Sequence, residues 1–404
     1  MKDRTWKFNS GAGHRTFVAR LAQVIAVSFL SAALAMPVTA GPREQAKRIH
    51  DRLAGVPPSA TVLDAMEAEV DPFQAGTALD AAFTAMDNAN FYNVTLKNFA
   101  APWTNRERSV FVPLNDYVAT VVGMIRDDVP FNTLLSADLV YVGNGSLGLP
   151  PYSNSNNNHY AEMEQRQIDM MTELTPTAQS SVSGLPSNAT AGVMTTRAAA
   201  EAFFVAGTNR VMFRFTLLNH MCNDLEQVHD VNLPPDRIRQ DVARSPGGDS
   251  RLFLNNCIGC HNGMDPLAQA FAYYNFNVDT GSIEYTPGQV QPKYFNNEDN
   301  FPFGFRTPDD SWDNYWRFGQ NQFLGWDASL PGSGSGAKSL GDELGNSAAF
   351  ASCQVRKVFQ AVCLRPPEDA ADRQQVEQMV TSFTSSGYLM KQVFAESAVY
   401  CMGD

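Results

Sequence analysis

Asn255-Asn256-Cys257-Ile258-Gly259-Cys260-His261 is the stretch from which the rest of the chain is read. C-x-x-C-H is the attachment sequence of covalent c-type haem. Its spacing follows from chemistry. Thiols three residues apart on one helical turn face the same way, so Cys257 and Cys260 can each add to one vinyl group of a single porphyrin. His261 then follows as the proximal iron ligand. Other uses of the pattern fit less well. Zinc wants four Cys or His ligands, often as two spaced pairs, and no second C-x-x-C is present. A thioredoxin-like dithiol wants a βαβ setting, which the neighbouring sequence lacks. The expectation is one covalent haem c.

The first forty residues read as a secretory signal. Lys2, Arg4, Lys7, Arg15 and Arg20 form a long basic region, an apolar run follows from Leu21 to Met36, and Val38-Thr39-Ala40 supplies small residues for cleavage before Gly41. The apolar run is short for a membrane span. There is no twin-Arg pair and no Cys after the cleavage site, so general export to the bacterial periplasm or the cell exterior is expected. Haem c is attached outside the bacterial cytoplasm, so address and motif agree. No later stretch reads as a transmembrane helix.

Residues 1–40 hold five of the 30 Lys and Arg and one of the 42 Asp and Glu, so the remainder carries 25 bases against 41 acids, a net of −16. Such acidity argues against nucleic-acid binding. It suits a basic redox partner drawn in by electrostatic steering, and it also serves plain solubility.

The chain divides by pattern into an N-terminal helical module (41–150), a middle helical module (151–248) and a c-type haem domain (249–404), a mainly α fold with long loops. Apolar periodicity and caps predict helices over Arg43–Gly55, after Ser59, over Thr77–Met86, Leu114–Ile125, Phe131–Leu139, residues 160–173, Arg197–Ala206 and Asn209–Cys222. Ser245-Pro246-Gly247-Gly248-Asp249-Ser250 caps the helix that bears the motif. A further helix restarts at Met264-Asp265-Pro266-Leu267 and runs to Phe276. Residues 277–337 read as one long loop, and three helices close the chain, over Ala348–Cys363, Ala370–Thr384 and Tyr388–Val399.

The long loop packs nine aromatics into positions 301–326. Loops of this length are uncommon unless functional, and these rings either wall a haem edge or a small-molecule pocket or form the loop's own small core. The loop acids, Asp309, Asp310 and Asp313 among them, lack the spacing of an EF-hand. His50 reads as a surface or helix-end residue and His159 as a solvated loop residue.

Cys222, Cys353, Cys363 and Cys401 remain after the haem pair. An even remainder in an exported chain suggests disulfides. Cys353 and Cys363 fall ten residues apart in one expected helix, about 15 Å at about 1.5 Å per residue, too far to bridge. That leaves Cys222–Cys353 with Cys363–Cys401, or the crossed alternative.

Cys257-Ile258-Gly259-Cys260-His261-Asn262-Gly263-Met264-Asp265-Pro266-Leu267, with Ala270-Phe271-Ala272 after it, resembles the planctomycete-type cytochrome c group, whose members read C-x-x-C-H followed by Asp-Pro-Leu and a helix. Ala191-Gly192-Val193-Met194-Thr195-Thr196 and Arg52-Leu53-Ala54-Gly55-Val56-Pro57-Pro58 also resemble its modules, as do Phe350 to Cys363 and Ser386-Gly387-Tyr388. The aromatic loop and the Cys-rich C-terminus depart from the group. The resemblance implies an exported haem protein.

The sixth iron ligand is the open question. From Asn262 to Gln378 the only Met is Met264, on the proximal side, and there is no His. Candidates are Met379, Met390 and Met402, or His220, Met221 and His229 upstream. Met390 and Met402 are favoured, because a cytochrome's C-terminal helix normally packs near its haem helix. With such a ligand the chain is expected to pass single electrons. With a five-coordinate iron the expectation becomes a haem enzyme of peroxidase or oxygenase type. A third use is haem as a folding staple.

Overall fold

The N-terminal helices begin where their caps dictate. In the computed structural model, which describes residues 40–403 apart from 75 and 206, α1 (Pro42–Ala54) starts with proline in its first turn and buries Ala46, Ile49 and Leu53. The Ser59 side chain accepts from the Val62 amide to start α2 (Ala60–Val70). Thr77 and Asp80 form a reciprocal capping box at the head of α3 (Ala78–Met86). The predicted signal, residues 1–40, lies outside the described residues except for its last position.

Asn115 caps α4 (Asp116–Arg126), which is buried from Asp116 to Ile125. A helix apolar on all sides belongs in the interior, and α4 is the central one here. Next come α5 (Asn158–Gln165), α6 (Arg197–Phe203, capped by Thr196) and α7 (Arg210–His220). The motif straddles the start of α8 (Ile258–Ala268), with Cys257 just before it. The close is made by α9 (Gly336–Gly345), α10 (Ala348–Cys363, capped by Ser347), α11 (Ala370–Ser385, capped by Asp369) and α12 (Met390–Tyr400).

Among the described residues the strands are few and form three antiparallel pairs. β1 (Val140–Gly143) pairs with β2 (Leu174–Thr177), β3 (Tyr274–Asn277) with β4 (Ser282–Tyr285), and β5 (Ser311–Asp313) with β6 (Ser333–Ser335). The fold is mainly α. Pro42–Met402 makes one compact unit, and a single large apolar core runs through it from Ala46 to Ala398. The stretches 41–150, 151–248 and 249–404 all contribute to that core. No helix among the described residues is long and apolar enough to cross a membrane.

Several local expectations are corrected. Phe131–Leu135 is a short 3-10 turn and Val140 onward is strand. Residues 160–173 do not form one helix; α5 stops at Gln165, Gln167 takes φ 52°, and a separate turn follows over Met170–Glu173. No helix restarts at Met264. α8 runs through Met264, Asp265 and Pro266 to Ala268, and Tyr274–Asn277 is strand because Tyr274 and Phe276 point inward against Tyr285 and Ile283. The loop 277–337 is broken by β4, β5, β6 and several 3-10 turns.

The cysteines pair as Cys222–Cys353 and Cys363–Cys401, with Cα separations of 5.3 and 5.5 Å. The first ties the end of α7 to α10. The second joins the end of α10 to the residue after α12.

Candidate functional site

The helical chain that carries the motif starts at Ser250, where Asp249 accepts from the Arg251 amide at 2.9 Å. A π-helical turn over Phe253–Cys257 leads into α8. Such turns are frequent at functional sites. At about 100° per residue, Cys257, Cys260 and His261 fall within about 100° of one another on one face. Both thiols are free and partly exposed. The His261 side chain is 20% exposed, so this face is neither sealed nor fully open to solvent.

The opposite face is built from glycine. A side chain on Gly259 would collide with the His229 ring, and one on Gly263 with the Trp316 indole. Glycine at both positions lets the 223–235 segment and the Trp316 turn approach α8 closely. Asp230 N donates to Gly259 O at 3.0 Å, and Asn262 Nδ2 donates to Asp230 O at 2.6 Å. Cys260 Sγ lies 3.6 Å from Leu225 O. Burial, then the Glu226 and Asp224 carboxylates, push the Cys260 thiol up.

One turn beyond His261 sits Asp265, its side chain fully buried. His261 Nδ1 lies 3.1 Å from Asp265 Oδ1. A ring nitrogen donating to a carboxylate fixes the tautomer and leaves Nε2 with its lone pair. Arg210, on α7, grips Asp265 through Nε at 2.6 Å and Nη2 at 2.9 Å, and also holds Asp241 at 2.7 and 2.9 Å. The Arg239 backbone amide adds a 3.3 Å bond to Asp265 Oδ2. Burial alone would raise the Asp265 carboxyl, but Arg210, then His261 and Arg239, outweigh it and hold it well below the usual carboxylate range.

Beside the motif opens a hollow of about 520 Å³. Ile238, Phe253, Leu254, Ile258, Phe301, Phe303 and Phe305 line it, with Arg244 at its wall. Cys257 packs on the same cluster of Ile238, Val242 and Phe253. Phe301–Phe305 is held there by backbone bonds to Ile238 and Gln240. The Arg244 guanidinium lies 4.9 Å from the Phe253 ring centre and 4.5 Å from that of Phe301, and donates to the Ile238 and Val242 carbonyls. Of the motif only Ile258 is part of the lining; Cys257, Cys260 and His261 are not. The loop aromatics therefore split: Phe301, Phe303 and Phe305 wall this hollow, whereas Trp312 and Trp316 enter the main core.

The candidates for a sixth ligand are not brought to this face. Met390 is buried at the start of α12, and Met402 follows that helix, its carbonyl accepting from Arg48. α12 packs on α1, α3, α4, α10 and α11, whereas α8 packs on α7, β5 and the turn Tyr315–Arg317. The expectation that the last helix lies beside the motif helix is thus corrected. Its apolar face is taken up by the N-terminal helices. Met379 is core. His220 is buried with Nε2 2.6 Å from Tyr117 Oη, beside the Trp103 ring, and Met221 is core. His229 lies behind Gly259.

Two other histidines prove structural. His50 is buried with Nδ1 2.8 Å from Val56 O. His159 is also buried, taking the Gly143 amide at 2.9 Å on Nε2 with Nδ1 2.7 Å from Pro150 O. Sequence reasoning missed the roles of Asp265 and Arg210. The four-residue step from His261 to Asp265 on one helix was an available signal, but Arg210 lies 55 positions from Asp265 and only the fold joins them.

Comparison of the chain with family models, with curated proteins and with solved structures finds no match.

Proposed function

We propose that the chain is an exported monohaem c-type cytochrome that passes single electrons. Cys257 and Cys260 anchor the porphyrin and His261 offers Nε2 to the iron. One observation carries this reading. Four of the six cysteines are paired, and the two left free stand three apart on one helix face with an imidazole whose Nδ1 is already engaged. That donor set fits the group. The apolar hollow beside Cys257 supports it, since a porphyrin edge needs apolar walls.

A bound haem supplies a one-electron ferric/ferrous couple. The chain's own residues orient the imidazole through Asp265 and present an acidic surface to a basic redox partner. Disulfides fit an oxidising compartment and so support export. The resemblance to the planctomycete-type cytochrome c group supports a cytochrome c-like haem domain in the C-terminal part.

A second reading, a haem enzyme of peroxidase or oxygenase type, is favoured by the packing of Met390 and Met402 away from α8. Expression with haem-maturation machinery followed by haem staining on a denaturing gel tests the cofactor. The wild type should stain, and Cys257→Ser with Cys260→Ser should not. An unstained wild type sinks the proposal. Absorption spectra then separate the two uses: a low-spin spectrum with a sulfur-to-iron charge-transfer band supports electron transfer, and a high-spin one that responds to cyanide or peroxide supports the enzyme.

A further inference from the structure

We infer that Asp265, clamped by Arg210, is a positioning residue that sets the electron richness of the His261 imidazole and with it the reduction potential of the haem. The inference rests on the reading that His261 binds haem iron. It goes further by assigning control of that iron to two residues that act through the His261 ring rather than as ligands.

The geometry is specific. Asp265 reaches His261 Nδ1 at 3.1 Å from within the same helix, so the pair keeps its spacing as long as α8 is folded. The carboxylate has no water to share its charge, because its side chain is wholly buried. A buried anion on Nδ1–H pulls that proton and pushes electron density toward Nε2. A more basic ligand stabilises ferric over ferrous iron and lowers the potential. A backbone carbonyl in the same place would do this less, since it carries no net charge.

Arg210 acts in the opposite sense. It gives two hydrogen bonds to Asp265 and two to Asp241, at distances of 2.6 to 2.9 Å. Those bonds hold the carboxylate in place and also draw its charge away from the imidazole. The cation itself lies close to the site and opposes a further positive charge on the iron. The two residues thus work as a push and a brake on one ring nitrogen. A purely structural ion pair would give both removals the same effect, a loss of stability with no ordered change in potential.

The test is a potentiometric titration of the full chain carrying covalent haem, as wild type, Asp265→Asn, Asp265→Glu and Arg210→Gln. Asp265→Asn should shift the ferric/ferrous equilibrium at least tenfold toward ferrous, a rise of about 59 mV for one electron. Asp265→Glu, which keeps the charge, should recover part of that shift. Arg210→Gln should move the equilibrium the other way. Potentials equal to wild type in Asp265→Asn and Arg210→Gln, or shifts of the same sign in both, overturn the inference. If Asp265→Asn does not fold, Arg210→Gln decides alone: an unchanged or raised potential overturns the inference, and a lowered one sustains it. Failure of the haem reading looks different, because the wild type then carries no covalent haem to titrate.

Discussion

Trp316 occupies the space that a side chain on Gly263 would need. The indole is fully buried, and Trp326 Nε1 donates to the Trp316 carbonyl at 2.9 Å, which fixes the turn that delivers it. The back of the motif helix is therefore a packing surface, and its front is left for the thiols and the imidazole.

Gly263→Ala should expel or tilt Trp316. Overpacking of this kind costs about 1–3 kcal/mol, so the thermal midpoint should drop by several degrees. Gly259→Ala should act similarly through His229. Gly145→Ala is the control, because its added methyl meets no atom within 4 Å, and it should stay within about 0.5 kcal/mol of wild type. Equal midpoints for all three variants would show that the close approach is not needed.

The two disulfides should differ in weight. Their cysteines stand 131 and 38 residues apart. In the chain-entropy account each bridge is worth about 2–5 kcal/mol, and the longer loop about 1 kcal/mol more. Replacing Cys222 and Cys353 together by Ala should thus lower the denaturation midpoint further than replacing Cys363 and Cys401. Peptide mapping without reduction checks the pairing directly, and a Cys222–Cys363 peptide would refute it.

Much of the helical frame is legible in sequence because local chemistry sets it. Ser59, Thr77, Thr196 and Ser347 each bond the amide that a cap should bond. The same holds for the motif, where three residues on one turn carry their own geometry. What escapes is decided by distant partners. Tyr274–Asn277 is apolar enough for a helix end and becomes strand only because Ser282–Tyr285 folds back on it. His159 reads as a loop histidine, yet the Gly143 amide and Pro150 carbonyl claim both its nitrogens. Pocket walls escape for the same reason: Phe301–Phe305 finds its place by bonding to residues 238–240, about sixty positions earlier.

Stability should rise with pH from about 7 toward 10. Burial pushes Lys293 down to about 7 against the weaker pull of Glu284, and its Nζ donates to Phe204 O at 2.6 Å. Burial also pushes Lys357 well below the lysine range, with Nζ on the Trp103 ring. Both lysines are protonated in the unfolded chain up to about 10.4. Between the folded and unfolded values the unfolded state binds more protons, so raising pH favours the fold. Above about 10 the sign reverses, because burial raises tyrosines such as Tyr117 and Tyr160 and the unfolded chain loses their protons first. Urea denaturation at pH 7, 8 and 9 should show the climb, and Lys293→Met should make it shallower, leaving the share of Lys357. An identical slope in the variant would remove Lys293 from this account.

In the proposed haem-bound chain, Met390→Leu and Met402→Leu should leave the absorption spectrum unchanged. Met390 begins a helix whose partners are α1, α3, α4, α10 and α11, and it is only 2% exposed among them. A thioether so placed fills core space, as methionine often does. Leucine nearly conserves its volume, so the stability change should stay below about 1.5 kcal/mol. An axial ligand behaves otherwise. Its loss would abolish the sulfur-to-iron band, turn the iron high-spin and open it to cyanide. Loss of that band in Met390→Leu with an otherwise native far-ultraviolet spectrum would mean that α12 moves to α8 when haem is attached. An unchanged spectrum in both variants leaves the sixth position of the proposed iron to residues beside α8 itself or to a small ligand.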